Sequence, residues 1–442
     1  MDSPLVRKYF GANQILIADS VSSARVTLAS HLIQMGASRS QMSLVTSFEE
    51  AQAVIQQMKP KIILCDYMLG KRSGLDLLQD QKKTYESSKI KDTLFVLVTG
   101  NGSQSAVAAA AEEDVDTFIV KPYTIKRLQK SITQAVIAKL QPDEYHQKID
   151  IGKDLLMAGK IDEAVVVFQN ASKLDPSPTL AYFYLAQTAE IKKAAGSADQ
   201  NYRKGLAHSE IHYKCLVGLY ELLTQQGKFA KAYEVVQRIA QYFPANPNRL
   251  AAVLRLAVTT SNYADVPKYY ELFTALEERP EVLTRHMCSA MAVAGKHALA
   301  KQEHQKAVEI FDKVAASSAG RTNYLRYIVE SLVACDRFAE ATRFLKRFNA
   351  ENHLHPDYEI SSFLVASGTK PVPEVMNQGR LLLRQGIRSK ELFEILIKLA
   401  RDQKLDPLAE DLEIQFKQFS QDSKDAIAAE IELPAIPVPQ KA

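Results

Sequence analysis

Four short apolar runs in this 442-residue chain end on residues of chemically useful type. "ILIA" is followed by Asp19 and Ser20, "IILC" by Asp66, "LFVLV" by Thr99 and Gly100, and "TFIV" by Lys121 and Pro122. Two carboxylates, a hydroxyl and an amine are the groups that a phosphoryl acceptor needs. An attacking carboxylate must approach several negative oxygens, so positioning and charge neutralisation carry such chemistry. An Asp that closes an apolar run is also common at any strand-to-loop junction. The elements that hold these residues decide between the two meanings.

From Gln14 to about Leu140, apolar runs alternate with amphipathic stretches. The spacing predicts strands at 15–18, 42–45, 62–65, 94–98 and 117–120, with helices near 22–35, 48–58, 74–83, 104–113 and 124–139. Strict alternation of this kind makes an α/β domain with a doubly wound, five-stranded parallel sheet. In such a sheet the carboxyl ends of the strands converge on one edge. Asp19, Asp66, Thr99 and Lys121 are therefore expected to share one pocket.

This set resembles the receiver domain of two-component response regulators, with the CheY-like, flavodoxin-like fold, over residues 12 to 140. "ILIADS" resembles its acidic first strand end, and "IILCDYMLGKRSG" its phospho-acceptor segment with a Gly eight residues on. "VLVTG" resembles its hydroxyl switch and "FIVKPYT" its Lys-Pro segment, whose peptide bond is commonly cis in the family. The resemblance implies that Asp66 is the phospho-acceptor. It also implies that Asp19 and Asp66 bind Mg2+ with the Met68 backbone carbonyl, and that Lys121 pairs with a phosphoryl oxygen. Thr99 would move onto another oxygen, and Phe118, at the switch-aromatic position, would follow by changing rotamer. The chain departs from the family at Ser20. Aligned without a gap, Asp19 matches the first of the family's two adjacent acids and Ser20 the second, which lowers the expected Mg2+ affinity. A one-residue gap would instead make Asp19 the second acid.

Beyond Pro142 the composition turns helical and repeats. Gly152, Gly159, Ala164, Phe168, Ala171 and Pro176 stand at the spacings of a tetratricopeptide unit, a 34-residue helix-turn-helix. The phase returns 68 residues on at Tyr220, Gly227, Ala232, Val236, Ile239 and Pro244. The next unit carries Val266, with Tyr270 at its large-residue position. After it the register slips by seven and resumes at Ala307 and Phe311, then Ala341 and Leu345. The expected organisation is a receiver at 1–140 and an all-α superhelical tetratricopeptide solenoid of six units at 141–355. Further helical pairs or a cap follow at 356–425, and the proline-rich 426–442 is expected to be a disordered tail.

Three other features read as structure rather than chemistry. "SSAR" at 22–25 is expected to cap a helix, the acidic run Glu112–Asp116 to be a solvated helix end, and His208 and His212 to pack rather than bind metal.

Bulk composition narrows the function. The chain is 46% hydrophobic and 24% charged, with a formal net charge of +4. No dense Lys/Arg block tracks a nucleic-acid backbone, and the pI of about 8.6 leaves a nucleic-acid adaptor as a remote third reading. No run approaches the length of a membrane span and no signal peptide is visible. Four scattered cysteines suit a reducing, cytoplasmic setting. The expectation is a non-enzymatic response regulator. It takes a phosphoryl group from a histidine kinase or phosphotransfer protein, and its solenoid binds a protein or peptide. The alternative is a phosphorylation-independent scaffold or kinase inhibitor with a degenerate receiver, a reading that Ser20 favours.

Overall fold

The structure is a computed structural model. It describes residues 4–70, 72–74, 76–78, 93–99, 115–242, 247–276 and 279–422. The helix expected at 104–113, most of that at 74–83, and the tail at 426–442 lie outside these residues. By internal packing the chain divides into two units, Met1–Pro244 and Ala245–Ala442.

The first unit opens with a helix, Pro4–Ala12, and then builds a sheet. Its strands are β1 (Ile15–Ala18), β2 (Met42–Val45), β3 (Ile62–Asp66), β6 (Leu94–Thr99) and β7 (Thr117–Val120). Between β3 and β6, two short strands, β4 (Met68–Leu69) and β5 (Arg72–Ser73), form an antiparallel hairpin. The five long strands are parallel, in the order β2-β1-β3-β6-β7. Parallel sheets must cover both faces, which is why their strands read as unbroken apolar runs. Here Ile15, Ile17, Ile62, Leu64, Val96 and Val98 face one core, with Leu28, Leu32, Leu128 and Ile132 packed over them. Leu16, Ala18, Ile63, Cys65, Phe95 and Leu97 face the other, beneath Phe48, Ala51 and Ile55. The covering helices are Ser22–Gln34, Phe48–Met58 and Ile125–Leu140.

The N-terminal helix was not foreseen. Val6 and Phe10 enter the first of these cores, Phe10 with no exposed surface. Burying a Phe side chain contributes about 1.5–3 kcal/mol, so this helix is packed as part of the domain.

Three helix pairs complete the unit: Glu144–Met157 with Ile161–Ala171, Thr179–Ile191 with Ala195–His208, and Tyr213–Gln225 with Phe229–Tyr242. Gly152 explains why small and large residues alternate. A Cβ there would stand 2.3 Å from the Phe168 ring, so the two helices close only because glycine gives way to the aromatic.

The second unit is helical throughout its described residues. Pro247–Thr259 pairs with a helix broken into a 3₁₀ stretch, Tyr263–Lys268, and a short α-helix, Tyr269–Thr274. Glu281–Ala300 with His304–Ser317 and Thr322–Val333 with Phe338–Leu345 follow. Two more pairs, Pro356–Thr369 with Val372–Arg384 and Lys390–Asp402 with Asp406–Asp422, complete it.

Two deviations from a uniform repeat stand out. Pro267 sits in the broken helix. Tyr269, three residues after the buried Val266, fills the buried aromatic place, as Phe344, three residues after the buried Ala341, does where Leu345 is expected. The expectation of Tyr270 there is corrected: it is part-exposed, and its hydroxyl pairs with Ser317 Oγ at 2.9 Å. The seven-residue slip lies in Glu281–Ala300, which has 20 residues where Glu144–Met157 has 14. Past it the lock is restored: a Cβ on Gly295 would meet the Phe311 ring at 2.4 Å. Gly295 and Phe311 stand 143 residues after Gly152 and Phe168, four periods of 34 and seven more.

Candidate functional site

β1 pairs with β3 so that Ala18 lies opposite Cys65. The next residue on each strand is therefore Asp19 and Asp66, side by side at the carboxyl edge. Asp19 is fully buried. Its Oδ1 accepts the Val21 N–H at 2.8 Å, and its Oδ2 accepts Lys121 Nζ at 2.6 Å. The same ammonium donates to Asp66 Oδ2 at 2.9 Å, where the Asp66 side chain is 15% exposed. One cation thus spans two carboxylates. Burial pulls the Lys121 ammonium toward losing its proton, but its bonds to Asp19 and Asp66 more than offset this, and its pKa is raised. It stays charged across the physiological range.

Lys121 reaches this position because β7 ends one residue before it; the Lys121-Pro122 peptide bond is cis. Thr124 then caps the Ile125–Leu140 helix by accepting the Arg127 N–H. Thr99 ends β6 opposite Val120, which brings its backbone to the same edge; its side chain lies outside the described set, as does that of Met68. Phe118 lies on β7, the edge strand, and is 37% exposed. Ser20 is exposed beside the pocket.

The segment after Asp66 owes its shape to two glycines. Gly70 has φ +66°, which lets the β4–β5 hairpin turn. Gly74 returns the chain onto the strand end: its N–H donates to the Tyr67 carbonyl at 2.7 Å. A Cβ on Gly74 would lie 2.1 Å from the Asp66 carbonyl oxygen and 2.7 Å from Cys65 Sγ. That contact explains why a glycine stands eight residues after Asp66. The hairpin itself was missed; "LGKR" between Met68 and Ser73 carried the turn signal.

Arg25 was misread. The Ser22–Gln34 helix has Val21 as its N-cap, with no side-chain capping bond. Arg25 instead reaches back to donate to the Asp19 carbonyl at 2.5 Å, fixing the backbone of the buried acid. Asp116 was misread too. Residues 112–114 of that acidic run lie outside the described residues, but Asp116 is a mostly buried carboxylate paired with Lys139 at 2.6 Å. His208 and His212 pack as expected. His208 stacks on Tyr182, and His212 Nδ1 caps a helix by accepting the Cys215 N–H.

Hard oxygens from two adjacent carboxylates, with a backbone carbonyl two residues on, are the donor chemistry that Mg2+ accepts. The fit is spare, because both Asp19 oxygens are engaged and Ser20 adds no charge. Among the described residues no group of three or more His, Cys, Asp and Glu side chains could hold a metal ion, and no helix is long and apolar enough to cross a membrane.

The family model of the response regulator receiver domain matches residues 15–133. A CheY chemotaxis protein of Rhizobium etli is 23% identical over 128 residues, covering 29% of this chain and 95% of that protein. The phosphate regulon transcriptional regulatory protein PhoB of Pseudomonas aeruginosa is 26% identical over 129 residues, 29% of this chain and 54% of PhoB. CheY1 of Helicobacter pylori is 24% identical over 119 residues, 27% of this chain and 93% of CheY1. Among solved structures, CheY4 of Vibrio cholerae is 19% identical and covers 28% of this chain and 97% of its own, with a TM-score of 0.25. A tetratricopeptide repeat protein from Parabacteroides merdae is 13% identical and covers 58% of this chain and 98% of its own, with a TM-score of 0.29. Residues 15–133 are thus a response regulator receiver domain, followed in the chain by an all-helical region built of paired helices.

Proposed function

We propose that Asp66 accepts a phosphoryl group from a histidine kinase or a phosphotransfer protein, and that the helical pairs deliver the output by binding another protein. The observation that carries this reading is the joint placement of Asp66, Asp19 and Lys121: a part-exposed carboxylate with an ammonium 2.9 Å from it and a buried acid on the same edge. The exposed edge of Asp66 admits the donor. A carboxylate oxygen attacks phosphorus, the bond to the donor breaks, and Lys121 Nζ stays beside the new acyl phosphate to offset its charge. Asp19 and Asp66, with the Met68 carbonyl, would hold Mg2+, which when bound supplies the remaining neutralisation. Thr99 would take a further phosphoryl oxygen, and Phe118 on the edge strand would report the change at the surface.

No catalytic role is assigned to the helical pairs. The Gly152–Phe168 and Gly295–Phe311 locks serve packing, and paired helices of this kind present extended binding surfaces. The unit boundaries proposed for function are the receiver through residue 140, the six pairs through 355, and two further pairs beyond.

One observation favours a second reading. Ser20 stands exposed and uncharged where a second acid would strengthen the metal site. A receiver with weak metal affinity would serve as a phosphate-independent docking module for a kinase or transfer domain. Incubating the full chain with acetyl phosphate and Mg2+, followed by mass measurement, separates the two. One added phosphoryl group on the Asp66 peptide supports the acceptor. An unmodified Asp66 alongside retained kinase binding supports the scaffold and sinks the acceptor.

A further inference from the structure

Asp116 lies at the opposite end of the sheet from Asp66, immediately before β7, and takes no part in the pocket. Its backbone N–H donates to the Phe95 carbonyl at 3.0 Å, and its Oδ2 accepts the Phe95 N–H at 2.7 Å. The side chain thereby adds a rung between the amino ends of β6 and β7. Its Oδ1 accepts Lys139 Nζ at 2.6 Å. Both side chains are mostly buried, at 20% and 16% exposure, so this pair is shielded in a way that surface ion pairs are not.

Lys139 is the penultimate residue of the Ile125–Leu140 helix. Only Gln141, Pro142 and Asp143 separate that helix from Glu144–Met157. This joint is tied as well. The Gln141 N–H donates to the Ile137 carbonyl at 2.8 Å, Gln147 Nε2 to the Pro142 carbonyl at 2.6 Å, and the His146 N–H to Asp143 Oδ1 at 2.8 Å. Pro142 removes one backbone freedom.

We propose that the Asp116–Lys139 pair is a brace that sets the direction in which the chain leaves the receiver, and through it the Asp66 pocket regulates the first helical pair. The regulatory part rests on the phosphoryl-acceptor reading; the brace does not. The helix begins just past Lys121, at the pocket, and is fastened at its far end to the carboxylate that pins the amino ends of β6 and β7. The other ends of those two strands carry Thr99 and lead to Lys121. A shift of either strand therefore has to move the helix end or stretch a charge-assisted bond in a shielded place. A loose tether would average such a shift away.

Hydrogen exchange on the full chain tests this. Lys139→Met removes the tether but keeps the apolar stem and the Asp116–Phe95 rung, and Asp116→Asn weakens both. In Lys139→Met, amides of 141–154 are expected to exchange about tenfold faster, with β1, β3 and the Thr179–Ile191 helix unchanged. Unchanged exchange at 141–154 in both variants overturns the brace. In a second arm with acetyl phosphate and Mg2+, wild type is expected to change its exchange over 144–171. Lys139→Met is expected to gain the phosphoryl group, read by mass, without that change. A variant that responds as wild type does overturns the brace as a transmitter. Failure of wild type to gain a phosphoryl group overturns the regulatory part, while the first arm still decides the brace.

Discussion

In the receiver each working residue occurs once. Asp19, Asp66 and Lys121 follow or end three different strands, and no second copy of their arrangement exists among the described residues. In the helical pairs the same contact, a glycine yielding to a phenylalanine sixteen residues on, is made at Gly152 and again at Gly295. The first region concentrates its chemistry at a point, so one substitution can silence it without unfolding it. The second spreads its stability over equivalent joints, so one substitution loosens one joint and leaves the chemistry alone.

The sharpest way to separate these behaviours is Asp66→Asn. It is expected to abolish phosphoryl acceptance entirely while circular dichroism and thermal unfolding stay close to wild type, since Asn keeps the volume and Asp19 still holds Lys121. Retained labelling by acetyl phosphate would break the comparison at its root. The mirror experiment is Gly152→Val or Gly295→Val. Each pushes a side chain into an aromatic ring and is expected to cost about 3 kcal/mol, read by urea titration. Because the two glycines lie in different units, Gly295→Val is expected to leave phosphoryl acceptance by Asp66 intact.

The helical pairs also carry a pH liability that the pocket does not need. Burial, with help from Lys214, holds the His212 imidazole down at about 4 against an ordinary 6.5. The unfolded chain therefore takes up a proton first as pH falls. Stability from this group is complete above about 6.5 and declines until pH reaches about 4, by on the order of 3 kcal/mol. His212→Asn, which retains a capping oxygen, is expected to flatten that part of the stability profile. A slope that persists in the variant would assign the loss elsewhere. The smallest effect concerns the pocket's charge: Ser20→Asp is expected to tighten Mg2+ binding about tenfold, measured by titration calorimetry. No gain would mean that position 20 does not face the metal.

Much of this was legible in the residues themselves. The five long strands were visible because a sheet buried on both faces leaves unbroken apolar runs, and their ends named Asp19, Asp66 and Lys121. What escaped notice has physical reasons. The Pro4–Ala12 helix is nine residues long and buries only Val6 and Phe10, too few to show a period. The β4–β5 hairpin has two residues per strand, below the length at which alternation can be read. Tyr270 and Leu345 were expected because the first unit sets its large residue four after the small one, whereas at Tyr269 and Phe344 the buried ring stands three after it. Asp116 looked solvated since its partners, Phe95 and Lys139, lie far from it in the chain.

The long Glu281–Ala300 helix bears on how such a chain can change its length. Seven residues turn an α-helix almost two full circles, leaving a drift of only about 20°. An insertion of that size slides the contacts on either side of it along the axis but leaves them on the same face of the helix; Gly295 and Phe311 both follow it and keep the sixteen-residue spacing of Gly152 and Phe168. Five added residues would swing the face that carries the glycine well over 100° away from the face that the helix's first turns present. Insertions and deletions in these helices are thus filtered by angle before they are filtered by content, and steps of seven pass the filter.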